Sequence, residues 1–96
     1  MIDNKTYMAL QTLDPMKETV ETMLTFIESV WCEDYGRLII PKNIYKNRYQ
    51  YVIFHTGGWS HNEEIIQALR CSMFWTLFWH QERKGGHYWL KVRELI

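Results

Sequence analysis

The chain reads as an α+β domain. It predicts a small, mainly antiparallel sheet with an N-terminal amphipathic helix, a short second helix and a C-terminal β-hairpin. Three patterns carry this. Met16, Val20, Met23, Leu24, Ile27 and Trp31 recur at helical spacing. Residues 49–55 are a run of β-forming side chains. Gly85-Gly86 separates two stretches rich in aromatic and β-forming residues, a strong hairpin signal. Ninety-six residues make one domain, 1–96, with no linker, repeat or low-complexity segment.

Taken in order, residues 1–13 are ambiguous, with a short helix suggested around Tyr7-Met8-Ala9-Leu10. Asp14-Pro15 pairs an N-cap acceptor with proline at the first helical position, so the amphipathic helix is expected to start there and end near Asp34-Tyr35-Gly36. Leu38-Ile39-Ile40 is a short apolar run stopped by Pro41, and residues 42–48 form a basic connection without an acid. After the strand at 49–55 comes Thr56-Gly57-Gly58-Trp59-Ser60-His61-Asn62-Glu63. Ser60 and Glu63 have capping-box spacing, so a helix over about 60–70 is expected with Ser60 as its cap.

The run from Met73 is aromatic-rich and leads into a hairpin turn, so 73–82 is expected as a strand paired with 87–93. A two-residue turn at Gly85-Gly86 then sets Lys84 opposite His87, Glu82 opposite Trp89 and His80 opposite Lys91. That register puts Tyr88, Leu90 and Val92 on the core side with Arg83, Gln81 and Trp79. Lys84, His87, Trp89 and Lys91 fall on a cationic outer side. A one-residue slip would undo the pairing.

Composition narrows the function classes. Aromatic residues are 16% of the chain, with five Trp and six Tyr, more than so small a core needs. Some should therefore lie on a partner surface, a ligand site or a subunit interface. Net charge is zero, which argues against a general nucleic-acid binder. Yet residues 36–96 hold nine of the eleven Lys and Arg, and residues 1–35 hold seven of the eleven acids. This split suits a homo-oligomer with a polar seam, or a cationic face that holds an anion. Cys32 and Cys71 do not have zinc-knuckle spacing and are expected reduced and partly buried. The first residues lack the apolar core of a signal peptide, and no apolar run could span a bilayer. A cytoplasmic location without membrane partners is the expectation.

For chemistry, His55, His61, His80 and His87 form no metal-ligand pair by spacing, and no metal or other cofactor is expected. The segment at Ser60 is not G-x-S-x-G, so a serine hydrolase is not indicated. His55, Asn62, Glu63 and His87 could compose a phosphodiesterase-like acid–base set, a weaker reading. Anion binding has more support. Gly57, Gly58, Trp59 and Ser60 offer backbone N–H groups and a hydroxyl at a helix start, while Arg83, Lys84 and His87 offer charge at a second glycine turn. Trp59 or Trp89 could stack on a base.

Thr56-Gly57-Gly58-Trp59-Ser60, then Asn62-Glu63, an aromatic strand expected at Met73-Phe74-Trp75, and later Arg83-Lys84-Gly85-Gly86-His87-Tyr88, together resemble a motif set of small, uncharacterised phage-encoded proteins. The resemblance covers roughly residues 51–93. It implies site residues Gly57, Gly58, Trp59, Ser60, Asn62, Glu63, Arg83, Gly85, Gly86 and His87, and the neighbouring Thr56 and Lys84 join the expected ligand-binding set. The chain departs from the pattern at His61, where a small residue is usual, and at Lys84, which is often Arg. The expected function is a non-enzymatic phage accessory protein, in the host cytoplasm, that sequesters a nucleotide signal and so counters host defence. The alternative is a module that occludes a host protein or nucleic-acid complex.

Overall fold

A computed structural model describes residues 2–96. Four helices lie on one face of a four-stranded, wholly antiparallel sheet. The elements run α1 (Asn4–Gln11), α2 (Val20–Val30), β1 (Arg37–Ile39), β2 (Gln50–His55), α3 (Ser60–Leu69), α4 (Met73–Phe78), β3 (Trp79–Arg83) and β4 (His87–Val92). The strand order is β1-β2-β4-β3. The predicted α+β class holds, with its N-terminal helix, antiparallel sheet and C-terminal hairpin.

The short helix suggested near the start is α1. Asp3 caps it by accepting the Thr6 N–H at 2.7 Å, and that bond holds the Asp3 carboxyl below its ordinary range. The amphipathic helix starts later than Asp14-Pro15 implied. Residues 14–18 close a single turn, with the Asp14 carbonyl accepting from Lys17 and Glu18. The helix proper begins at Val20 behind the cap Thr19. The Glu94 carboxylate accepts the Val20 and Glu21 N–H groups at 2.6 and 3.1 Å, so the C-terminal segment supplies partners for donors that a helix start otherwise leaves open. Val20, Met23, Leu24 and Ile27 form the buried stripe, each stabilising the fold by about 1.5–3 kcal/mol relative to exposure. Met16 falls outside it and is exposed. α2 ends at Val30, short of the expected 34–36, because Trp31 turns extended and packs edge-on against Phe54 at 5.5 Å.

The strand expected over 73–82 is the main correction. Residues 73–78 are helix α4, and only Trp79–Arg83 is strand. Ser72 caps α4 through the Trp75 N–H at 3.1 Å, and Phe74, Trp75 and Phe78 enter the core at a helical i, i+1, i+4 spacing. Burial of these rings under the sheet outweighs the β-propensity of an aromatic run. The hairpin register also differs. Lys84-Gly85-Gly86 is a three-residue loop, with Gly85 and Gly86 at φ 95° and 83°. Arg83 therefore faces His87, Glu82 faces Tyr88 and Gln81 faces Trp89. This one-residue slip exchanges the two faces of β3. Glu82 moves to the helix side, where it pairs with Arg70 at 3.1 Å. A bulge between Trp79 and Gln81 then shifts the register once more.

The inward residues Leu38, Val52, Phe54, Leu90 and Val92 join the helices in one core. Cys32 is half-buried as expected, whereas Cys71, just beyond α3, is exposed. Among the described residues, no helix is long and apolar enough to cross a membrane.

Candidate functional site

All four helices pack on one face, so the other face of the sheet stands open. Strand alternation decides what it shows. At the end nearest the glycine turns, neighbouring strands present Arg37, His55, His87 and Arg83 side by side, each pair in direct register. The next outward row is Ile39, Ile53, Trp89 and Gln81. The first row is cationic or imidazole throughout; the second is largely apolar and holds a large ring.

The centre of the first row is tightly built. His55 Nδ1 and His87 Nδ1 are 2.7 Å apart, so one imidazole donates and the other accepts. Burial pushes the His55 pKa below its ordinary value, and the neighbouring His87 and Arg37 push it the same way. Trp89 meets His55 at 6.3 Å with rings nearly perpendicular, and the Arg83 guanidinium lies 6.0 Å from the Trp89 ring centre. No Asp or Glu occupies an outward position on the four strands. Among the described residues the one ion pair is Arg70–Glu82, on the helix side, so neither Arg37 nor Arg83 is neutralised by a carboxylate there.

The two glycine turns meet at this end of the sheet. The Thr56 N–H donates to the Gly86 carbonyl at 2.9 Å, and a side chain at Gly86 would collide with Thr56 and approach the Glu63 carboxylate. Gly57 and Gly58 both have positive φ, 66° and 70°. A side chain at Gly57 would run into the Tyr35 carbonyl, while Gly58 faces open space. Thr56 is buried, and its hydroxyl accepts the Gly58 N–H at 3.3 Å.

The residues of the first turn divide by role. Trp59 is stacked on Tyr35 with ring centres 4.5 Å apart and remains 42% exposed, enough to meet a ligand. It is also the N-cap of α3, in extended conformation and without a side-chain cap bond. The capping box expected of Ser60 and Glu63 is therefore absent: anchoring on Tyr35 makes Trp59 the last extended residue, and Ser60 is already helical. Asn62 is fully buried and clamps Cys32, accepting from its N–H at 2.9 Å and donating to its carbonyl at 2.8 Å. Those bonds belong to the fold. His61 is likewise engaged, donating through Nε2 to the Val30 carbonyl at 2.7 Å. Glu63 stands half-buried beside Gly86, where its charge opposes an anion at the start of α3.

Of the sequence-predicted residues, Arg83 and His87 thus lie on the open face, Lys84 at the exposed hairpin tip, and Thr56, Gly57, Gly58, Trp59, Ser60 and Glu63 at the adjoining turn. Of the acid–base set, only His55 and His87 share the open face. Arg37 and Ile53 were not singled out from sequence. The outward alternation Tyr49, Tyr51, Ile53, His55 was the signal that could have found the β2 face. Among the described residues, no group of three or more His, Cys, Asp or Glu is placed to hold a metal ion.

Compared with known proteins, the chain matches no family, no curated protein and no solved structure.

Proposed function

We propose that this protein binds a nucleotide at the turn end of its open sheet face. The observation that carries the reading is the row Arg37, His55, His87, Arg83 beside the row of Ile39, Ile53 and Trp89. A phosphate needs charge-assisted donors, and the first row offers two guanidinium groups flanking a hydrogen-bonded imidazole pair, without a carboxylate among them. A base needs a flat apolar partner, and Trp89 provides one next to that row. Lys84, at the neighbouring loop, and the exposed Trp59 across the turn extend the donor and stacking surface.

Calorimetric titration with inorganic phosphate, a nucleoside and the matching nucleoside monophosphate tests this. The monophosphate is expected to bind more tightly than either part, and Arg83→Ala to lose about 1.5–3 kcal/mol, the worth of a hydrogen bond to a charged group. Equal binding of phosphate alone, or no heat from any of the three, rejects the reading.

The motif resemblance to phage-encoded proteins supports the wider proposal, in which the bound molecule is a nucleotide signal of a host defence. Mass spectrometry of small molecules released by heating protein purified from infected cells is then expected to show an intact nucleotide. Release of hydrolysis products instead would favour the phosphodiesterase reading, with His55 and His87 as its acid and base.

A further inference from the structure

We infer that the ligand face continues down the sheet beyond the nucleotide site and takes a short single-stranded nucleic acid. This rests on the nucleotide reading above and extends it. Outward residues on one strand recur about 6.8 Å apart, twice the rise per residue. Below His87 and Trp89 on β4 comes Lys91, directly opposite Tyr51, and just past the strand comes Arg93, whose guanidinium also donates to the Lys46 carbonyl at 2.9 Å. The Lys91 ammonium is 5.8 Å from the ring centres of both Tyr49 and Tyr51, and the Arg93 guanidinium is 5.3 Å from that of Tyr49. Cations and rings therefore lie side by side in the lower rows as well.

At the lower end the face opens into a recess of about 200 Å³ lined by Tyr49, Leu77, Phe78, Trp79, His80 and Lys91. The bulge after Trp79 brings His80 beside Tyr51, with Nε2 3.4 Å from the phenol oxygen. Tyr49 and Tyr51 are each about half exposed, at 51% and 46%. Rings this exposed, on a face without acids, have no evident use in the fold.

One nucleotide has one base and one phosphate group. It can fill the upper two rows and leaves Tyr51, Lys91 and the recess empty. A strand carries further bases and phosphates, for which the lower rows offer further rings and cations. Unpaired bases can lie flat on exposed rings, whereas bases stacked in a duplex cannot. Zero net charge does not oppose this, because the acids are absent from the outward strand positions and concentrated in residues 1–35.

Fluorescence anisotropy with labelled oligouridylates of about four and about eight nucleotides, within the site sizes of small folds, tests the inference beside calorimetry with uridine monophosphate. The tetramer is expected to bind at least tenfold more tightly than the monophosphate. The logarithm of its binding constant should fall with log salt at a slope of about −2, for roughly three phosphates contacted. Tyr51→Ala and Lys91→Ala should each weaken the tetramer roughly tenfold and leave the monophosphate unchanged, with unfolding midpoints like the wild type. Equal affinity for monophosphate and tetramer overturns the strand and leaves the nucleotide site standing; no binding of either rejects both. A duplex that binds as tightly as the single strand overturns the stacking argument. An acidic peptide that displaces the tetramer at equal concentration makes the face a protein-docking surface instead.

Discussion

Phe54 and His55 are neighbours on β2 and meet different surroundings. Phe54 is fully buried between Trp31 and Trp75. His55 stands on the other side of the same strand, bonded to His87 between two arginines. The contrast runs through the sheet. Leu38, Val52, Leu90 and Val92 close one face under the helices, while Arg37, Tyr51, Trp89 and Lys91 leave the other open. Strand alternation makes the inner face the source of stability and frees the outer face to carry other chemistry. A sheet covered on both sides could not hold a row of unneutralised cations, because burying them would cost too much.

Breaking the inner face should have the largest effect. Phe54→Ala is expected to lose about 3–5 kcal/mol in denaturant unfolding, a large part of the usual stability of a small domain. Ile53→Ala, one residue away on the outer face, should cost much less. Comparable losses at the two positions would mean that the outer face is covered in solution, as by a second copy of the chain.

The turn that joins the two faces comes next. Gly57→Ala combines a positive φ with collision against the Tyr35 carbonyl, and should cost more than the about 1–3 kcal/mol of backbone strain alone. Gly58→Ala has similar strain and open space, so it should cost only that. Thermal melts of the pair separate steric fit from backbone preference, and equal melts would place Tyr35 elsewhere.

Asn62→Ala sharpens the division of roles within the turn. It leaves the Cys32 N–H and carbonyl without their partner, so about 1–3 kcal/mol of stability should go. Nucleotide affinity of the protein that remains folded should change little. A variant of normal stability with lost affinity would reassign Asn62 to the ligand.

The smallest effect is in pH. His55 titrates below its ordinary 6.5 in the folded chain. In the window just below that value the unfolded chain binds more protons, so stability is complete above it and falls as pH falls. Ligand affinity should move oppositely. A phosphate favours the protonated imidazole, so binding should tighten as the pH drops through the same window. Calorimetry and unfolding curves on one buffer series check both signs, and a shared sign would remove His55 from the ligand row.

Much of the fold was legible in the chain because its signals are local. The stripe Val20, Met23, Leu24 and Ile27 repeats at helical spacing, 49–55 is β-rich, and Gly57-Gly58 and Gly85-Gly86 need conformations that other residues resist. His87 and Arg83 could be named as site candidates for the same reason, as polar residues beside those turns. What failed locally was settled by distant partners. Glu94 moved the start of α2, seventy-four positions away in sequence. Packing beneath the sheet made a helix of 73–78 despite its aromatic content. The extra loop residue Lys84 turned Arg83 outward to join His87. Arg37 and His55 became neighbours of both only when β1, β2 and β4 paired. Composition averaged the acids and bases to zero, whereas the tertiary structure left the outward face of the strands without a carboxylate. Helix periodicity and turn chemistry act over a few residues and can be read from them. A row across four strands depends on register, and register is decided by the whole core.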